Sequence, residues 1–270
     1  MASQPEAAAA FARMHNGADV LVLANAWDAG SARVIEAAGG KAIATSSAAV
    51  AWSHGYADGH DLPISRLVAT VEEIARAVRA PVSADAEGGY AEDPAEVGEN
   101  VAALVRAGAV GINLEDGRAS TDLHCAKIAA AREAGARAGV DLFINARVDV
   151  YLKKLVAAEA ALDETIKRGK AVKAAGASGF FVPGVVSRDE IAAIAGAVDL
   201  PLNVLAFPGL PPLAELRALG VRRLSAGALP GRVALAATRA AAETFLRQGD
   251  SAALIAAAGP SVDYNALFKG

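Results

Sequence analysis

A closed (β/α)8 barrel of the TIM type is the fold this sequence predicts, on three observations. Short apolar runs alternate with longer Ala/Glu/Arg-rich stretches along the chain, and that alternation implies a parallel sheet. Eight such units fit into about 250 residues, which is the size of a closed barrel. The first strand-to-helix turn, 23–30, reads LANAWDAG and lacks the G-x-G-x-x-G of the rival, a doubly wound open sheet.

The elements follow in order. The run at 20–24 leads into a helix over 28–38, and 41–45 leads through a polar loop to a helix over 65–79. Residues 81–86 precede a helix that opens at Pro94, where proline suits the first turn. Strand 109–114 precedes a helix over 123–138, and strand 141–146 precedes one covering most of 156–174. Strands 178–183, 201–205 and 221–225 complete the set, with helices over 188–195, 212–219 and 231–247. Gly39, Gly108, Gly139, Gly176 and Gly220 stand where helices end, as left-handed C′ positions require. No change of composition and no Pro/Ser-rich linker divides the chain, so one domain spans 1–270, with 250–270 as a C-terminal helical extension.

Composition excludes several classes of function. A net charge of -4 offers no basic face for phosphates, so nucleic acid is not an expected partner. Every apolar run is broken by charge, Gly or Pro well before roughly 18 residues, so no membrane span is expected. The N-terminal MASQPEAAAAFARMHNG has no basic region ahead of a long apolar core and reads as an amphipathic helix, not a signal peptide. Cys125 is the single cysteine, which rules out an internal disulfide and suits a cytoplasmic protein.

The chemistry of such a barrel sits at the C-terminal strand ends. Here the strand cores are apolar and their ends are not: Asn25 and Asp28, then Thr45, Ser46 and Ser47, then Ser83, Asp85 and Glu87. Asn113, Glu115 and Asp116 follow, then Asn145, Arg147 and Asp149, and finally Asn203 and Ser225. Alternation along a strand puts residues two apart on one face, so Asp85 and Glu87 pair, as do Asn113 and Glu115. If those faces point inward, three carboxylates meet opposite the Arg147 guanidinium. Their mutual repulsion is relieved by a hard divalent cation. Zinc is disfavoured, because His15, His54, His60, His124 and Cys125 show no tetrahedral spacing. Blander readings exist for each residue. Arg147 can be a structural partner of Asp149, His54 and His60 can be surface residues, and Cys125 can be a packed thiol.

The ordered pieces NAWDAGSARVIEAAG, TSSAAVAWSHGYADG, PVSADAEGGYAEDPAEV, GAVGINLEDG, FINARVDVYL and PLNVLAFPGLPPLAELRALGVRRLS resemble the isocitrate lyase/phosphoenolpyruvate mutase superfamily over nearly the whole chain. The resemblance implies a (β/α)8 barrel whose eighth helix is exchanged between subunits, giving a homotetramer built as a dimer of dimers. It implies Mg2+, with Mn2+ as a substitute, held directly by Asp85 and largely through water by Glu87 and Glu115. Arg147 would grip the substrate carboxylate, Ser46, Ser47 and Ala48 would offer it backbone N–H groups, and Asp58 and Asn203 would approach the same site. Asp58, Glu115 and Arg147 are thus the expected catalytic residues. The sequence departs from the family in two respects: Glu87 stands where Asp is more frequent, and EDGRASTDLHC stands where the lyase branches carry a K-K-C-G-H loop. The general acid is therefore unassigned among Arg118, Ser120, Asp122 and a metal-bound water. The leading expectation is a lyase that breaks a carbon bond beside the keto group of a small 2-oxo acid or dicarboxylate such as oxaloacetate. A phosphonopyruvate-type mutase or hydrolase, a non-catalytic 2-oxo acid binder and a (methyl)isocitrate-type lyase are the alternatives.

Overall fold

The computed structural model describes residues 3–260 and 262–269. The first two residues of the N-terminal segment, and Ser261 and Gly270 of the 250–270 extension, lie outside the described residues. Nine parallel strands form one sheet in the order β1-β9-β8-β7-β6-β5-β4-β3-β2. They are β1 Leu21–Leu23, β2 Asn25–Ala26, β3 Ile43–Thr45, β4 Val82–Asp85, β5 Gly111–Glu115, β6 Phe143–Arg147, β7 Gly179–Val182, β8 Leu202–Leu205 and β9 Val221–Ser225. Only Ala24 separates β1 from β2, and β1 pairs with β9 while β2 pairs with β3. Those two pieces are one barrel strand broken at its middle, and through them the ring closes. The expected TIM-type barrel is present.

Helices accompany the ring: α1 Gln4–His15, α2 Ala29–Ala37, α3 Ser47–Ser53, α4 Ile64–Ala77, α5 Pro94–Arg106 and α6 Thr121–Arg137. There follow α7 Ala161–Ala174, α8 Arg188–Ala197, α9 Leu213–Ala218, α10 Leu229–Gln248, α11 Ser251–Ala257 and α12 Tyr264–Phe268. All five glycines read as helix ends have positive φ, from 69° at Gly139 to 107° at Gly108. The polar loop expected after β3 is instead partly helical. Ser46 accepts from Ala49 N and caps α3, a device hidden in a run of small residues.

The core lies between the ring and its helices. Strand residues such as Ile112, Ile144, Phe180 and Val204 are fully buried there. The N-terminal end of the barrel is plugged by α1. Phe11 packs edge-on against Phe143, and a side chain at Gly111 would come within 2.7 Å of its ring. With one end plugged by apolar side chains, the barrel mouth opens at the other.

Candidate active site

At that open end Asp85 finishes β4, 8% exposed. Ser47 N donates to its Oδ2 at 3.1 Å, and its own N–H donates to Thr45 Oγ1 at 2.8 Å. Its Oδ1 is buried with no protein partner. The Ser46 N–H goes to Ala26 O. Two of the three amides expected to meet substrate are therefore already used by the protein, and the Ser46–Ser47 stretch acts first to orient Asp85.

Glu87 does not share a face with Asp85 by strand alternation, because β4 ends at Asp85 and Glu87 has φ 48°. It reaches the site through a left-handed turn instead. Tyr90 Oη donates to its Oε1 at 2.9 Å, and His60 N donates to its Oε2 at 2.7 Å. His60 Nε2 accepts from Gly88 N at 3.0 Å, so its proton sits on Nδ1, which faces Glu87 Oε2 at 3.5 Å. His60 and Tyr90 also have φ of 71° and 59°. Each such residue costs about 1–3 kcal/mol, and three in contact mark a cluster held by its surroundings. Burial pushes the Glu87 carboxyl up, while Tyr90 and His60 pull it down and Asp85 adds to the rise. Asp58, on the same loop as His60, is likewise raised by burial and by the Asp85 charge, against a hydrogen bond from Ser47.

Glu115 Oε2 is 2.7 Å from Arg147 Nη1, and its Oε1 accepts from Lys153 Nζ at 3.2 Å. Burial pushes Glu115 up to about 7 against the pull of Arg147, with Asp149 and Asp85 adding to the rise. Arg147 donates through Nε and Nη2 to both Asp149 oxygens, at 2.7 and 3.2 Å. Burial works against its charge, and Glu115 and Asp149 more than offset it. The structural reading of Arg147 is therefore realised, and one hydrogen on each Nη is left for a ligand. Behind it, Asp149 N donates to Asp116 Oδ1, and Asp116 is paired with Arg168 at 2.7 Å.

The structure thus brings Asp58, Asp85, Glu87, Glu115 and Arg147 into one neighbourhood. It does not close Asp85, Glu87 and Glu115 on a single point: among the described residues no three His, Cys, Asp or Glu groups form a ligand set. Of these three, Asp85 alone keeps an oxygen with no protein partner. That arrangement fits magnesium, which commonly takes one or two carboxylates and keeps its other waters. Carboxylates raised first by burial and further by one another's charge are the second sign that a cation belongs there.

Beside these groups opens a cavity of about 690 Å³, lined by His60, Tyr90, Glu115, Arg118, Lys127 and Lys153. Arg118 therefore stands at the cavity, whereas Ser120 caps α6 by accepting from Leu123 N, and Asp122 lies in the first turn of that helix. Asn203 sits deeper, in the barrel, where its Oδ1 accepts from Ser225 Oγ at 3.3 Å. His54 is taken up by Thr70, and burial raises the Cys125 thiol, so neither is poised for chemistry. Lys153 and Tyr90 escaped the sequence reading. The spacing of Lys153, four residues after Asp149, was the available signal.

A model of the phosphoenolpyruvate phosphomutase family matches residues 11–246. The chain belongs to that family. The solved structure of a phosphonomutase-like protein from Burkholderia cenocepacia J2315 is 44% identical with TM-score 0.84, covering 88% of this chain and 99% of that one. The structure of 2,3-dimethylmalate lyase, of the PEP mutase/isocitrate lyase superfamily, is 27% identical with TM-score 0.80 over 94% of each chain. The oxaloacetate decarboxylase of Ectopseudomonas mendocina (strain ymp) is 34% identical over 175 residues, 60% of this chain and 57% of that protein. Relatives of named activity in the phosphoenolpyruvate phosphomutase superfamily are enzymes.

Proposed function

We propose that the protein is a divalent-cation-dependent lyase that breaks a carbon bond beside the keto group of a small 2-oxo dicarboxylate, oxaloacetate being the model substrate. The observation that carries this reading is the uncommitted Asp85 Oδ1, buried among carboxylates and oriented by Ser47 and Thr45. The partial match to an oxaloacetate decarboxylase supports the substrate class. Asp85 would hold Mg2+, with Mn2+ as a substitute, and Glu87 and Glu115 would hold its waters. Such an ion supplies a Lewis acid for the charge that develops on the keto oxygen.

The chain's own groups do the rest. Arg147 keeps two N–H groups for the substrate carboxylate, and its place is fixed by Glu115 and Asp149 before substrate arrives, so little ordering cost remains. The Asp58–His60 loop, pinned through Glu87, borders the cavity and holds Glu87 in place. Arg118 is the cavity-lining candidate for delivering a proton or steadying a departing carboxylate. Asn203 supports the floor from inside the barrel. A homo-oligomer with exchanged C-terminal helices is part of the same reading.

The test is release of pyruvate from a panel of 2-oxo acids, oxaloacetate first. Asp85→Ala should lower Mg2+-dependent turnover by about a thousandfold or more, roughly 4 kcal/mol of transition-state stabilisation. No Mg2+-dependent turnover of any member by the native enzyme would defeat the proposal. A phosphonopyruvate-type reaction is the second reading, supported by the 44% identical phosphonomutase-like structure. Unchanged phosphorus NMR of phosphonopyruvate after long incubation would remove it.

A further inference from the structure

Inside the barrel lies a charge that none of these roles uses. Arg223, on β9, is completely buried, and no carboxylate among the described residues lies within 4 Å of it. Its neighbours are neutral. Nε donates to Ser225 Oγ at 3.1 Å, Nη2 donates to Asn113 Oδ1 at 3.3 Å, and Nη1 has no protein partner. Its pairing with β8 is irregular: Leu202 pairs with Val221, yet Asn203 pairs with Arg223, so Arg222 is an extra residue. Alternation along β9 itself is regular and puts Arg223 on the barrel-facing side with Ser225. The guanidinium shares its acceptor, Asn113 Oδ1, with Asn145 Nδ2 at 2.9 Å, and Asn113 is the register partner of Asp85.

A buried guanidinium without a counter-ion is costly, and a methionine of similar volume would fill the space without that cost. The charge must therefore return something other than stability. The charges at the mouth suggest what. Glu115 and Asp149 are matched by Arg147 and Lys153, and Asp116 by Arg168. Asp58, Asp85 and Glu87 have no Lys or Arg within 4 Å among the described residues. Lys127, which donates to Gly88 O, and Arg118 also line the mouth, and the buried guanidinium adds a fixed positive charge to theirs. Asp85 is also the group that sustains the Arg223 charge against burial, which pulls it down to about 10.

We propose that Arg223 is a positioning residue of the active site, a fixed positive charge in the barrel core that loosens cation binding at Asp85 and tightens the binding of an anionic ligand. The inference rests on the reading of Asp85 as the cation anchor. It predicts effects of opposite sign for two ligands, which a packing role does not.

Calorimetry on the intact protein separates the cases, first with Mg2+ alone and then with oxalate at saturating Mg2+. Arg223→Met should bind Mg2+ about 3- to 10-fold more tightly and oxalate about 10-fold more weakly, because a buried charge acts through poorly screening surroundings. Arg223→Lys regains the charge as pH is lowered and the buried ammonium is protonated, and it should then come within about 3-fold of the native protein at the same pH for both ligands. It carries the test alone if the methionine variant does not fold, and a larger change in either ligand would then overturn the inference. Arg222→Met, on the same strand, should alter neither. Parallel weakening of both ligands in Arg223→Met, or no change in either, would overturn the role of Arg223 and leave Asp85 untouched. A native protein that binds no Mg2+ would overturn both.

Discussion

Glu115 shows how one side chain can carry opposite duties. It is paired with Arg147 and Lys153, yet burial lifts its carboxyl to about 7. A carboxyl whose folded value lies above the unfolded 4.5 favours folding in its protonated form. Its contribution is complete below the unfolded value and is lost as pH rises toward about 7. In metal-free protein the stability of the native chain relative to Glu115→Gln should therefore fall by about 1–3 kcal/mol between pH 4.5 and 7.5. Thermal unfolding of both proteins across that range measures it. A native advantage that grows with pH would mean that the pair with Arg147 outweighs burial. The same proton competes with a cation, so Mg2+ affinity should weaken as pH falls below about 7. Residues of this kind explain where sequence reading stopped. The spacing of Asp85 and Glu87 implied a continuous strand, whereas Glu87 arrives through a left-handed turn. Arg147 next to Asp149 was legible as an ion pair because it is local. The His60–Glu87 contact spans 27 residues, and no period in the sequence announces it.

Secondary-structure elements were the most legible level, since strand and helix periods are local and most helix ends carry a glycine. The exceptions are instructive. Helix α3 lies in TSSAAVAWSH, whose small residues carry no apolar period, and the Ser46 cap and burial against the barrel decide it. Alternation along VRRLS puts Arg223 on the same face as Ser225, but a charged residue there contradicts the expectation of an apolar strand core. Helix propensity is similarly overruled by packing, as two helical glycines show. A Cβ on Gly196, near the end of α8, would meet nothing within 4 Å. On Gly169, in α7, it would come within 2.6 Å of Val198 and 2.9 Å of Phe180. Gly196→Ala should stabilise the protein by about 0.5–1 kcal/mol through backbone entropy. Gly169→Ala should destabilise it by about 1–3 kcal/mol, because the core must part to admit a methyl group. Denaturant midpoints of the two variants test the contrast, and equal signs would refute the packing argument.

The barrel as a whole has one uncovered side. Val22, on the outward face of β1, is 50% exposed where a barrel strand ordinarily lies beneath a helix. The helix due at that place is α10, yet Gly231 is its only buried residue among those described. Val233 is 69% exposed and Leu246 82%, and Ile255 on α11 is 71% exposed. A missing cover and a projecting apolar helix are complementary features of one chain, and two copies can satisfy both by exchanging that helix. Apolar surface of this extent is rarely left to water in a monomer. The native protein should therefore behave as a homo-oligomer in light scattering, with an unfolding temperature that rises with protein concentration. The double variant Val233→Asp/Leu246→Asp should dissociate it and lower that temperature, because β1 then loses its cover as well. Turnover should fall with dissociation even though neither residue lines the site, since Asn25 and Trp27 follow β1 directly and Gly231 packs on Ala49 beside the Ser46–Ser47 turn that orients Asp85. A monomeric native protein of full activity would break the link between assembly and chemistry.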